Sequence, residues 1–283
     1  MIENIKALSA DIDMTLTGKG EGLPEITKEA FRILREHGVL LGLATGRELE
    51  KKLFDQASNW DLDYQFDFLI GMNGGMVWDR FHEDMWSMDL MDQKKMREIM
   101  EYMMPLVDKY HIMVNVEGGG NHSIINAGEE AIAMAKRHGF DFIDVHGDLD
   151  AFCAQSGYKI LFRTEAQYEK EIREYFLSRY GHEFQMIGTY PGTVEVMQKG
   201  IDKGSGLERF ARNNSIDMKD IISFGDNEND NSMLVASGWG VSLKDGAELT
   251  RQLADDITDY DCMDAGVGHY LFDHYIQQKG WTE

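Results

Sequence analysis

The first apolar stretch of the chain, residues 5–13, reads Ile-Lys-Ala-Leu-Ser-Ala-Asp-Ile-Asp and stops at paired acids. A short, mostly apolar run of this kind predicts a buried central strand with polar groups at its carboxyl end. After a Gly-bearing loop, Thr27 is placed to cap a helix that runs to about residue 37, with Gly38 as its stop. Residues 39–44 are a second apolar run, ending in Thr45-Gly46-Arg47. Strand, helix, strand predicts a right-handed parallel unit. A helix over 48–57 and a strand over 66–70, followed by Gly71-Met72-Asn73-Gly74-Gly75, repeat the pattern.

From about residue 86 to 191 the pattern changes to helices over 93–110, 129–138 and 166–180, alternating with strands over 112–116, 158–162, 184–187 and 193–197. This predicts a separate α+β unit with antiparallel pairing. The parallel pattern resumes with a helix from Lys203 to about residue 213, a strand over 221–224, and the loop Gly225-Asp226-Asn227-Glu228-Asn229-Asp230. The expected organisation is therefore a core of residues 1–85 and 192–283, interrupted by an inserted domain at 86–191. Gly118-Gly119-Gly120 reads as a loop within the insertion.

Composition narrows the function classes. Of 283 residues, 43% are hydrophobic, enough to bury a sizeable core. The 28 Lys+Arg against 50 Asp+Glu give a net charge of −22, which argues against a nucleic-acid or anionic-membrane partner. A small ligand is expected, and an anionic one needs a divalent cation and local cationic side chains. Cys153 and Cys262 stand apart with no Cys or His at metal-ligand spacing, which predicts neither a disulfide framework nor a zinc site and suits a reducing cytoplasm. The first apolar run carries Lys6, Asp11 and Asp13, so it reads as neither a signal peptide nor a membrane span. The 18 methionines are read as core filling.

In an open parallel sheet, ligands sit at the carboxyl ends of the strands. The predicted ends bring Asp11 and Asp13, Thr45, Lys203 and Asp226 there from distant parts of the chain. Each is ordinary alone: a solvated strand end, a turn, a surface lysine, a helix cap. Together they offer acids suited to a hard cation such as Mg2+. They also offer a hydroxyl, a backbone N–H and an ammonium suited to a phosphoryl group. His111, His122, His138 and His146 share no helical face and are read as surface or packing residues. Trp60, Trp78 and Trp86 are read as aromatic packing between domains.

The joint pattern resembles the haloacid dehalogenase superfamily, and more narrowly its Cof-type (subclass IIB) sugar-phosphatase branch. Asp11-Ile12-Asp13-Met14-Thr15-Leu16 resembles the first motif, Leu43-Ala44-Thr45-Gly46-Arg47 the second, Lys203-Gly204 the third, and Gly225-Asp226-Asn227-Glu228-Asn229-Asp230 the fourth. Met72-Asn73-Gly74-Gly75 resembles the branch's Asn-Gly loop, and Val194-Glu195-Val196-Met197 its approach to the third motif. The insertion has the position and length of the branch's cap. The resemblance implies an α/β fold, a doubly wound, Rossmann-like parallel-sheet core with an inserted α+β cap that sets specificity.

It also implies a chemistry. Asp11 would attack phosphorus and form an acyl phosphate. Asp13 would act as general acid and then base, which requires a carboxyl kept protonated beside other acids. Mg2+ would be held by the Asp11 carboxylate, the Asp13 carbonyl and the Asp226 carboxylate, with Asp230 at the edge of the shell. Thr45, Gly46, Lys203 and Asn229 would hold the phosphoryl oxygens, with Arg47 and Asn73 among the substrate-binding residues and Thr15 in support. The expected reaction is hydrolysis of a small phosphorylated metabolite, with sugar phosphates the leading class. A phosphosugar mutase is the nearest alternative, and a phosphate-sensing module that no longer turns over a more distant one. One position departs from the family pattern: Met14 stands where glycine is usual, a substitution that bears on the turn and on the room left for substrate.

Overall fold

The computed structural model describes residues 3–18, 21–137 and 142–281. The chain divides into two compact units, Met1–Ser87 with Ile201–Glu283, and Met88–Gly200. In the first unit, β1 (Ala7–Ala10) has all four positions buried, as expected of a strand covered on both faces. It pairs in parallel with β2 (Leu40–Ala44), which pairs in parallel with β3 (Phe68–Gly71). The helix between β1 and β2 is Glu25–Glu36, three residues earlier than a cap at Thr27 predicts. Pro24 precedes it with φ −58°, already set for a helical start. The single helix expected over 48–57 is two short ones, Lys51–Phe54 and Gln56–Asn59. Leu49 is buried beside Gly71, and Glu50 after it is extended, at φ −108° and ψ 172°. Two strands not anticipated follow, β4 (Met76–Asp79) and β5 (Trp86–Ser87), both antiparallel to their neighbours.

The second unit is a six-stranded sheet with helices packed on it. Its strands are β6 (Met113–Glu117), β7 (Ser123–Ile125), β8 (Ile143–Asp144), β9 (Lys159–Arg163), β10 (Phe184–Tyr190) and β11 (Thr193–Gln198), in the order β10-β11-β9-β6-β7-β8. All pairs are antiparallel except β7 with β8. Since β11 is central to this sheet, the second boundary falls at Gly200, nine residues later than sequence patterning places it. Alternate positions Val114, Val116, Ile160, Phe162, Val194 and Val196 join one core with Met96, Ile99, Met100 and Met103 of the helix Gln93–Tyr110. The methionines here fill the core as expected. The intervening positions Asn115, Glu117, Lys159, Arg163 and Glu195 point to the opposite face by strand alternation. There Lys159 donates to Glu117 at 3.0 Å and to Glu195 at 2.9 Å, and Arg163 donates to Asn115. Helix Glu129–Arg137 is seen, while His138, the last residue of that expected helix, lies outside the described residues.

The chain returns to the first unit with helix Lys203–Asn213 and the strands β12 (Ile221–Gly225), β13 (Trp239–Ser242) and β14 (Asp256–Ile257). The complete sheet has the order β14-β13-β12-β1-β2-β3-β4-β5. The chain winds outward from β1 in both directions, so the fold is doubly wound and the crevice between β1 and β12 is its switch point. Phe210 stacks on Phe68 at 3.7 Å between ring centres, and Leu207 joins the same cluster, which fixes helix Lys203–Asn213 against the sheet. Burying each such side chain contributes about 1.5–3 kcal/mol. The tryptophans read as packing between domains pack within this unit: Trp60 on Phe66, Trp78 on Phe54, and Trp86 under the Arg209 guanidinium.

Candidate active site

The switch point between β1 and β12 gathers residues from four chain segments. Asp11 follows β1 directly, and its N–H donates to the Phe224 carbonyl at 3.1 Å, so the residue is held at the rim of the sheet. Lys203 opens its helix after Asp202, whose carboxylate accepts from the Ser205 N–H at 2.8 Å while the Ser205 hydroxyl lies 3.0 Å from the Asp202 N–H. A cation at a helix N-terminus opposes the macrodipole. Two carboxylates offset this: the fully buried Lys203 ammonium donates to Asp11 Oδ1 and to Asp230 Oδ1, each at 2.6 Å. Asp202 and Ser205 are positioning residues that sequence reading passed over, although an Asp with Ser three residues on is a recognisable cap pattern.

Asp230 is tied on its other oxygen by the N–H groups of Asp226 and Asn227, at 2.9 and 3.0 Å. Gly225 lets it come this close, because a β-carbon there would stand 2.3 Å from that of Asp230. With three hydrogen bonds accepted, Asp230 keeps about one of a carboxylate's four acceptor positions. Asp226 accepts from the Thr15 hydroxyl at 2.7 Å. One carboxylate oxygen each of Asp11, Asp226 and Asp230 lies within 4.8 Å of the others. Burial pushes Asp11 up to about 7, with Lys203 opposing and Asp230 adding to the rise. Burial and then Asp230 and Asp11 push Asp226 up to about 8. Burial works against the charged Lys203, yet Asp11 and Asp230 outweigh it and hold its pKa above the usual lysine range. Three acids around one ammonium leave an excess of negative charge, and hard oxygen donors in that arrangement fit a divalent cation.

Asp13 is not one of these three, although its charge adds to the rise at Asp11. Both of its carboxylate oxygens accept from Arg47 Nη2 at 2.6 Å. The expected neighbourhood of acids therefore surrounds Asp11 and Asp226, while Asp13 faces a guanidinium. Met14, next to it, adopts φ +66°, the left-handed region in which glycine is unstrained. The turn characteristic of a glycine is kept, closed by the Met14 N–H on the Thr17 carbonyl at 2.8 Å. Thr45 is buried after β2, its hydroxyl accepting from the Arg47 N–H at 3.3 Å. Asn229 donates to Asn73 Oδ1 at 3.1 Å, and Asn73 is itself completely buried beside Gly46. Of the histidines read as surface or packing residues, His111 ends a helix in the left-handed conformation, and His146 is exposed beside Asp144.

Residues 8–271 match the family of haloacid dehalogenase-like hydrolases. The chain belongs to that family. It is 24% identical over 258 residues to the 5-amino-6-(5-phospho-D-ribitylamino)uracil phosphatase of Bacillus subtilis, covering 90% of each chain. It is 24% identical over 281 residues to the HMP-PP phosphatase of Yersinia pestis, covering 96% of each. A solved subclass IIB sugar phosphatase of the superfamily aligns with a TM-score of 0.76 at 22% identity, covering 98% of this chain and 99% of that one. The Cof-type resemblance read from the motifs agrees with these matches. The protein is a phosphoric monoester hydrolase of the haloacid dehalogenase-like family, and among its described residues no helix is long and apolar enough to cross a membrane.

Proposed function

We propose that this hydrolase is a Mg2+-dependent phosphatase that forms an aspartyl phosphate on Asp11 and acts on small sugar phosphates. The observation that carries the reading is the Lys203 ammonium at 2.6 Å from Asp11, with Asp226 and Asp230 completing a buried acidic cluster at the switch point. Asp11 Oδ attacks phosphorus and the ester P–O bond breaks, the leaving oxygen taking a proton from the Asp13 carboxyl. Asp13, now a carboxylate, takes a proton from water as that water attacks phosphorus, and the bond to Asp11 breaks to release phosphate. Asp11, Asp226, Asp230 and the Asp13 carbonyl would hold Mg2+, whose charge would offset that of the phosphoryl group. Thr45, Gly46, Lys203 and Asn229 supply donors for the phosphoryl oxygens, where charge spreads in the transition state. Arg47 takes up both oxygens of Asp13 in this arrangement, so the pair must open for proton transfer.

The relatives support sugar phosphates: one acts on a phosphoribitylamino compound, and the aligned solved structure is a sugar phosphatase. Phosphate release from a panel of sugar phosphates, nucleotides and cofactor phosphates, with and without Mg2+, tests the reading. Release that requires Mg2+ and disappears in Asp11→Asn is expected; unchanged hydrolysis by Asp11→Asn would overturn it. Conversion of a hexose monophosphate into an isomer without free phosphate would make the protein a mutase.

A further inference from the structure

Three successive residues after β3 adopt left-handed backbone conformations: Met72 at φ 48°, Asn73 at φ 49° and Gly74 at φ 97°. For a residue with a side chain this region costs on the order of 1 kcal/mol, least for asparagine. The turn is held from several sides. Thr45 N–H donates to the Ile70 carbonyl at 2.8 Å, Asn73 N–H to the Thr45 carbonyl at 3.0 Å, and Met72 N–H to the Arg47 carbonyl at 2.8 Å. Gly74 lies so close to the segment before Lys203 that a β-carbon on it would stand 1.9 Å from the Asp202 carbonyl oxygen. A β-carbon on Gly46 would stand 3.3 Å from Asn73 Oδ1, the atom that accepts from Asn229 Nδ2 at 3.1 Å. The turn thus touches the Thr45–Arg47 loop, the start of the Lys203 helix and the Asn229 loop at once.

We propose that residues 72–74 form a positioning element for the phosphoryl site, in which the Asn73 amide orients the Asn229 amide and sets its spacing to Gly46. The inference rests on the reading that Gly46 and Asn229 hold phosphoryl oxygens. Asn73 is fully buried and acts through Asn229, which distinguishes this role from the substrate contact implied by the family loop. An asparagine amide has two N–H donors. Binding one of them to Asn73 fixes the amide plane, so the other needs no reorientation as charge develops on phosphorus.

Asn73→Gly tests this, because glycine keeps the left-handed backbone and deletes only the amide. Affinity for inorganic phosphate in the presence of Mg2+ is measured by titration calorimetry for the wild type, Asn73→Gly, Asn229→Ala and the double variant, with kcat and KM on an aryl phosphate beside it. Each single change is expected to weaken phosphate binding about tenfold, the loss of one charge-assisted hydrogen bond. The double variant is expected to bind no more weakly than Asn229→Ala alone. The kcat of Asn73→Gly should fall in parallel. Wild-type affinity in Asn73→Gly, losses that multiply in the double variant, or a wild-type chain that binds no phosphate would overturn the proposal. Asp11→Asn tests the nucleophile separately: should it hydrolyse like the wild type, the covalent mechanism fails while the phosphate cycle still decides the role of Asn73.

Discussion

Lys203 in the first unit and Lys159 in the second are both almost wholly buried, and each donates to two carboxylates. Their surroundings differ in charge balance. Lys203 faces Asp11 and Asp230 with Asp226 close behind, three acids to one cation. Lys159 faces Glu117 and Glu195, and Arg163 approaches Glu117 at 3.9 Å, so two acids meet two cations. A balanced buried network satisfies itself and holds three strands of a sheet in register. In the unbalanced one, burial first and the neighbouring carboxylates after it raise the pKa values of Asp11 and Asp226, a cost of charging them that a bound cation can offset. On the function proposed above, the same motif of a lysine between carboxylates serves structure in one place and chemistry in the other.

The comparison can be broken most severely at Asp11. Asp11→Asn should lower kcat by more than about 1,000-fold, because the amide cannot act as nucleophile, while circular dichroism shows a folded protein. Lys159→Met should act in the opposite sense: leaving Glu195 buried without its cation costs about 3–5 kcal/mol, read as a lower midpoint in urea. An unchanged midpoint would show that the second network is not structural.

Charge imbalance also predicts a pH dependence. The folded-state values of about 7 for Asp11 and about 8 for Asp226 lie above the ordinary 3.8, so the folded protein binds more protons than the unfolded chain between these limits. The stability they contribute is full below pH 3.8 and is lost as pH rises through 7 to 8. Metal-free protein should melt lower at pH 8 than at pH 5, by roughly 2–4 °C for each kcal/mol lost, and Mg2+ should raise the melting temperature more at pH 8. The smallest effect is expected from Met14→Gly. Relief of a left-handed methionine, worth about 1 kcal/mol, is largely offset by the greater chain entropy of glycine, so the melting temperature should move by only about 1–3 °C.

The parallel half of the fold was readable because buried strands leave long apolar runs and glycines mark their exits. Thr45, Lys203 and Asp226 were legible as strand-end or helix-start residues for the same reason. The short strands β4, β5, β13 and β14 were missed, since two to four residues carry too little periodicity to register. The second boundary was misplaced because β11 and the helix after it follow one another with only a short polar break.

By itself the sequence determined the order of the four motifs, the presence of an inserted unit, and the turn at Met14 as a place of tension, all properties of local pattern. Only the tertiary structure decided that Asp13 pairs with Arg47, that Asp230 is spent mainly on Lys203 and two backbone N–H groups, and that Asn73 is buried against Asn229. These pairings join residues 34 to 156 positions apart, or turn on which of a carboxylate's two oxygens meets which donor. Distances of a few ångströms between such groups follow from how helices and loops pack on the sheet, and no local pattern along the chain encodes them.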